Sequence, residues 1–174
     1  SASYLLINPK MKRIYFLLFL LSFIFSSYSQ VTTLWEKRYN GPGNDYDNAA
    51  SVFVDGAGNV YVAGSSTGTG SGLDFTVIKY NSAGTVLWIS RYNGPAGGED
   101  NAYLVKVDNA GNVYVSGSSI GPGSGLDYCA VKYNSAGVQQ WVARYNGPSN
   151  AIDEIYSLQI DNSGNVYITG YSNG

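Results

Sequence analysis

Hydrophobic residues along most of this chain recur with a period of two. In Ala49–Val54, Val52 and Val54 flank Phe53; in later copies of the same segment the flanks stay apolar as Val105 and Val107, then Leu158 and Ile160. The residue between them drifts from Phe53 to Lys106 to Gln159. Such alternation predicts a strand with one committed face. The next run, Asn59–Gly64, carries Val60, Tyr61 and Val62 and is apolar on both faces, as a strand covered from two sides would be. A Gly/Ser loop from Ser65 to Leu73 leads to a third strand, Asp74–Tyr80, and the turn "NSAG" to a fourth, Thr85–Tyr92, which carries Trp88. From residue 30 onward no window predicts a helix, because glycine, β-branched and aromatic residues dominate.

These four strands form a unit that repeats. "RYNGP" begins at Arg38, Arg91 and Arg144, and "GNVY" at Gly58, Gly111 and Gly164, always 53 residues apart. "KYNSAG" begins at Lys79 and Lys132 with the same offset, and no insertion separates the copies. Four strands repeated at roughly 40–50 residues predict a β-propeller blade, whose neighbours cover it on either side. A β-solenoid is the alternative, but its coils are shorter and its strands parallel, whereas "DNAGN" and "NSAG" are tight antiparallel connections. The fold class is therefore all-β: a β-propeller-like array of four-stranded antiparallel blades, incomplete, with about two and a half 53-residue repeats. Its parts are a fourth strand at 31–40, blades at 49–93 and 102–146, and a half blade at 155–171.

The wording "DxxGNVYVxGSS…GSGLDYxxVKYNSAG…W…RYNGP" resembles the bacterial SBBP propeller repeat over nearly all of Val31 to Gly174, and more weakly the NHL repeat, which shares its "D-x-x-G-N-x-Y-V" core. The resemblance implies several blades within a larger exported protein and transfers no catalytic residues. A closed ring takes about four to eight blades, so the chain reads as a segment of a longer polypeptide, whose remaining blades are its first expected partners.

The N-terminus adds an address. Met11, Lys12 and Arg13 precede the apolar run Ile14–Phe25, and Ser27-Tyr28-Ser29 offers a cut before Gln30, the pattern of a secretory signal peptide over residues 11–29. That run is short of the roughly 18 residues a membrane span needs. Residues 1–10 read as upstream frame. The expectation is export to the medium or the cell surface, with no membrane insertion after cleavage.

Charge and missing residue types then narrow the chemistry. From residue 30 on, seven Lys and Arg stand against twelve Asp and Glu, a formal charge of −5, which argues against nucleic acid as a partner. There is no histidine, so Ser-His-Asp and Cys-His catalysis are excluded. Cys129 is the one cysteine and takes the place of Thr76. The expected cofactor list is empty. Ca²⁺ is the only candidate, because Asp55 and Asn59 (and Asp108, Asn112; Asp161, Asn165) supply oxygens, but two side chains fall well short of about six to eight ligands.

Recurring residues read as scaffold. Asp55, Gly58 and Asn59, with Asp108, Gly111, Asn112, Asp161, Gly164 and Asn165, form hairpin turns rather than nucleotide loops, since a strand and not a helix follows. Arg38, Arg91 and Arg144 recur nine residues before Asp47, Asp100 and Asp153, which predicts an ion pair or cap joining blades. Trp88 and Trp141, with Trp35, read as blade-edge packing. In antiparallel blades the 1–2 and 3–4 turns share one face, and the longer 2–3 and 4–1 loops the other. The longer loops vary between copies and form the candidate binding face: Asn44, Asp45, Tyr46, Thr67, Thr69, Gly98, Glu99, Ile120, Pro122, Asn150 and Ile152. The expected function is non-catalytic binding of a protein or glycan. The alternative is part of a propeller glycoside hydrolase or polysaccharide lyase whose acids lie outside this segment.

Overall fold

Ten strands and no helix make up the described residues, 33–173, of this computed structural model. β1 (Asp47–Val54), β2 (Val60–Thr67), β3 (Leu73–Tyr80) and β4 (Val86–Tyr92) form one antiparallel meander. β5 (Asp100–Val107), β6 (Val113–Ile120), β7 (Leu126–Tyr133) and β8 (Gln139–Tyr145) repeat it, and β9 (Asp153–Ile160) with β10 (Val166–Ser172) forms a two-stranded sheet. This is the propeller-like array of blades that the 53-residue period predicts.

Beyond shifts of a single residue, three features of the strands differ from expectation. The first strand of each unit starts two residues earlier, at Asp47, Asp100 and Asp153, because the aspartate itself pairs across to Ser66, Ser119 and Ser172. The second strand runs on through Ser65 and Ser66 to Thr67, with Ser65 opposite Phe75 and Thr67 opposite Leu73, so the Gly/Ser loop shrinks to residues 68–72. Residues 33–40, expected to be strand, form none among the described residues. Their side chains still behave as those of an outer strand. Trp35 packs on Tyr80 with ring centroids 5.6 Å apart, and its indole N–H donates to the Ser82 carbonyl at 3.1 Å. Residues 1–32, with the expected signal peptide, lie outside the described residues.

Each inner strand pair carries a β-bulge. Ala49 faces Gly64 but Ser51 faces Ala63, leaving Ala50 extra; Tyr103 and Tyr156 are the extra residues in the later copies. A bulge lifts one strand over its neighbour, and here it lies directly over a glycine. A Cβ on Gly117 would overlap the Asn101 carbonyl oxygen and stand 2.9 Å from Ala102 Cα, and Gly64 and Gly170 meet the same obstruction. The glycine of "AGSS", "SGSS" and "TGYS" is therefore a condition of the bulge.

The core lies between blades. Tyr61, Ala63, Phe75 and Val77 of the first blade pack with Ala102, Val105, Val107, Val113, Val115, Cys129, Val131 and Tyr133 of the second. Full burial of one such valine contributes roughly 1.5–3 kcal/mol. Outside this core the stack is stitched at its rim: Trp88 donates its indole N–H to the Ser135 carbonyl of the next blade at 3.1 Å. A Cβ at Gly137 would come within 2.7 Å of the Trp88 ring, so the "NSAG" glycine makes room for the indole.

Candidate functional site

The two faces of the array are built from different loops and spend their side chains differently. On the first face, each "DxxGN" turn is closed by its own aspartate. Asp108 accepts the backbone N–H groups of Ala110 and Asn112 on one oxygen at 2.9 and 2.8 Å; the other oxygen takes the Asn112 amide at 2.8 Å and the Tyr114 hydroxyl at 3.1 Å. Asp55 and Asp161 repeat this with Asn59, Tyr61, Asn165 and Tyr167. Gly58, Gly111 and Gly164 take φ of 80°, 80° and 82°, which only glycine adopts without strain. The "NSAG" turns use the same backbone geometry with one oxygen: Asn134 Oδ1 accepts from Ala136 and Val138, both at 3.0 Å. An amide suffices there because no tyrosine or second amide asks for another acceptor. The tyrosine of "GNVY" is thus part of the turn, a role that sequence reasoning missed although its six-residue offset from the aspartate is constant. The carboxylate that the sequence offers to Ca²⁺ is engaged by four N–H and O–H donors in each copy.

These bonds set the acidity of the turns. At Asp108 burial opposes ionisation, but the Asn112 and Tyr114 hydrogen bonds outweigh it and hold the carboxyl below its usual value. Asp55 behaves alike. At exposed Asp161 the Asn165 bond dominates and brings it to about 2. A depressed folded-state pKa gives stability that is complete above the unfolded value of 3.8 and disappears as pH falls through the folded value. Asp108→Asn keeps the backbone half of the turn and loses the second acceptor. It is expected to cost about 1–2 kcal/mol at pH 7, and the gap to wild type in urea unfolding should close as pH falls below the unfolded value of 3.8. A gap that persists unchanged at pH 2 would show that the charge is irrelevant to the turn.

The second face corrects the expected pairing of charges. Arg91 and Arg144 do not join the aspartates nine residues ahead; each forms its ion pair within its own blade. Arg91 pairs with Asp74 at 3.0 Å and donates to Ser66 Oγ, Ser66 O, Thr76 Oγ1 and the Tyr39 hydroxyl. Arg144 pairs with Asp127 at 2.9 Å, and reaches Ser119 and the Tyr92 hydroxyl. Among the described residues Arg38 meets only Glu36, in the open. Position decides this: an outer-strand arginine stands beside the third strand of its own blade, so Asp74 and Asp127 are within reach.

Asp47, Asp100 and Asp153 instead clasp the connection between blades, accepting the N–H of Gly41, Gly94 and Gly147. These glycines sit against the aspartate and its partner serine: a Cβ on Gly94 would fall 2.5 Å from both Asp100 Oδ1 and Ser119 Oγ. Burial raises the Asp100 pKa, although Ser119, Gly94 N–H and Arg144 pull the other way. Cys129, fully buried beside Arg144, has its thiol pushed up to about 12 by desolvation, which leaves it a packing residue rather than a nucleophile.

Among the eleven candidate loop residues the structure separates scaffold from surface. Asn44 and Asn150 take φ of 50° and 52°, and Gly97, at the equivalent position, 63°. The alternation Asn, Gly, Asn is a left-handed turn requirement and not free variation. Asn40 and Asn146 each donate to the turn asparagine at 2.7 Å. Thr67 bonds the Tyr46 carbonyl through both its N–H and its hydroxyl, and Thr69 reaches the Pro42 carbonyl at 3.3 Å. Ile120 donates its N–H to the Glu99 carbonyl and packs near Gly98. Successive blades join here as well, through Gly72 N–H to Gly97 O and Gly125 N–H to Asn150 O. The exposed remainder is Asp45, Tyr46, Glu99, Pro122 and Ile152. The bulge residue Tyr103 feels one of them: burial raises its pKa against a Ser118 hydrogen bond, aided by the charges of Glu154 and Glu99.

Four-stranded meanders at a fixed repeat, clasped by Asp–Gly contacts and stacked face to face, define a β-propeller-repeat chain. Comparison with known families agrees: the model for the SBBP beta-propeller repeat matches residues 35–70 and 140–174. These two stretches read as SBBP repeats. The matched stretch runs from one blade's outer segment through the inner strands of the next, with "RYNGP" inside it, so the family unit straddles two blades. No curated protein matches the chain.

Proposed function

We propose that this chain is an exported, non-catalytic recognition module that presents its long-loop face to a protein or glycan. The observation that carries the reading is the division of labour between faces. On the short-turn face the recurring Asp, Asn and Tyr side chains are consumed by the turns they stand in. On the other face Asp45, Tyr46, Glu99, Pro122 and Ile152 project into solvent and differ from copy to copy. An acid and an aromatic before the first blade, an acid before the second and an aliphatic before the third give a graded surface that identical blades would not. Export rests on residues 11–29, and exclusion of nucleic acid on the negative charge.

Arrays of glycans and of extracellular proteins, probed with the full chain, should yield a ligand whose capture falls at least tenfold in a Tyr46→Ala, Glu99→Ala, Ile152→Ala variant. Substitution of Asn109 and Ser135 on the opposite face should leave capture unchanged. The reverse pattern would refute the face assignment, and turnover of a captured glycan would refute the non-catalytic reading.

A further inference from the structure

We propose that the three Asn-Gly links of "RYNGP", at Asn40, Asn93 and Asn146, are deamidation sites that the aspartate clasps hold closed, and that Asn93 is the least protected of them. The chemistry is inherent in the pair. The Gly94 backbone nitrogen gives up its proton to solvent base and bonds to the Asn93 side-chain carbonyl carbon, while ammonia leaves. Water then opens the five-membered imide at one of its two C–N bonds. One opening leaves aspartate; the other leaves isoaspartate, with the backbone routed through the former side chain. Glycine has no side chain to hinder the attack, and the asparagine is exposed to solvent in all three copies.

The fold restrains the nucleophile in every copy. Gly41, Gly94 and Gly147 are buried and donate their N–H groups to Asp47, Asp100 and Asp153 at 3.0, 2.5 and 2.7 Å. A carboxylate at that distance disfavours the negative charge that grows on the nitrogen as its proton leaves. Nor is the peptide plane free to turn, because the space beside Gly94 is filled by Asp100 Oδ1 and Ser119 Oγ. The other reactant is held in two copies only. Asn40 and Asn146 donate their amides to Asn44 and Asn150 at 2.7 Å. In the middle copy Gly97 stands at that place and has no side chain to accept the amide of Asn93. The turn backbone is otherwise the same: Asn44, Gly97 and Asn150 each donate an N–H to the carbonyl of the clasped glycine at 3.1 Å. Asn93 can therefore swing its carbonyl carbon over Gly94, while its counterparts are tied. Conversion to isoaspartate lengthens the backbone just ahead of Gly94 and lifts that glycine from its seat, loosening one blade connection and sparing the other two.

The test incubates the folded full chain in mild alkali and follows each site by peptide mapping and mass spectrometry, with the chain in urea as the unclasped reference. All three sites should convert at least about tenfold more slowly in the folded chain, the rate equivalent of one hydrogen bond to a charged group. Among them Asn93 should lead. Gly97→Asn copies the residue of the flanking repeats, which tolerates the φ of 63° found there, and should slow Asn93 to the rate of Asn40 and Asn146. Asp100→Asn keeps an acceptor for Gly94 but removes the charge, and should speed Asn93 about tenfold with Asn40 and Asn146 unchanged. Should that variant unfold, all three sites accelerate together, and the Gly97→Asn and urea comparisons still decide. Four results would overturn the proposal: conversion as fast in the folded chain as in urea, Asn93 no faster than its counterparts, no effect of Gly97→Asn, or slower conversion of Asn93 in Asp100→Asn, which would make the carboxylate a base rather than a guard.

Discussion

Gly117→Ala is expected to cost roughly 3 kcal/mol or more in urea unfolding, the upper end of what overpacking does, whereas Gly56→Ala costs nothing. Two glycines of similar appearance part company because of what surrounds them. A methyl group at Gly56 meets no atom within 4 Å, and replacing glycine in an unstrained turn restricts the unfolded chain and can add about 0.4–1 kcal/mol. At Gly117 the added carbon collides with the carbonyl of Asn101 and the backbone of Ala102, which the bulge at Tyr103 brings over the second strand. No side-chain rotation relieves a backbone collision; the two inner strands must separate. Equal midpoints for the two variants would mean that the bulge yields easily, and the account of the repeated glycine would fail.

Arg144→Met should cost about 3–5 kcal/mol, the usual consequence of removing one partner from a buried ion pair, while Arg38→Met should change stability by less than about 1 kcal/mol. The same pentapeptide motif surrounds both arginines. Arg144 is the donor to Asp127, Ser119 and Tyr92, and the Asp127 side chain it leaves behind is 5% exposed. Arg38 is 91% exposed and, among the described residues, holds only Glu36. Adding Asp127→Asn to Arg144→Met should recover part of the loss, because the stranded charge is removed. Arg144→Lys should fall between, since an ammonium cannot reproduce the guanidinium fork. If Arg38→Met and Arg144→Met were equally damaging, the motif would be acting through some property other than the buried pair.

The contrast between these arginines also marks where sequence reading stops. The strands, the hairpins and the blade stack were legible because they rest on local signals: period-two alternation, Gly and Asn at turns, and an unbroken 53-residue offset. The arginine partner was not legible. Arg91 and Arg144 stand seventeen residues after Asp74 and Asp127 and nine before Asp100 and Asp153, and both offsets are constant. Only the nine-residue spacing also holds for Arg38, which favoured the wrong aspartate; adjacency of the third and fourth strands decides otherwise. The bulge was hidden for a related reason. Gly64, Gly117 and Gly170 recur visibly, but what lies over them depends on strand register. On the loop face, Asn44, Gly97 and Asn150 looked like free variation, yet each belongs to the small set of residues that tolerate positive φ, and that signal was available. Which side chains end in solvent was not, because a loop's backbone hydrogen bonds decide it.

The indole staples set how this chain can fold. Trp35 reaches Ser82, and Trp88 reaches Ser135, each across 47 residues; Arg91 and Arg144 reach a tyrosine 52 residues back, and Val105 a serine 54 back. These links between blades all span about one repeat. The loop that must close to complete a junction is then the same size at every step, and its entropic cost does not grow as blades accumulate. Assembly can proceed as a zipper from the N-terminal side as the chain emerges, each finished blade templating the next. Folding time should then rise with the number of junctions rather than with the span of the whole chain, unlike sheets that pair distant strands.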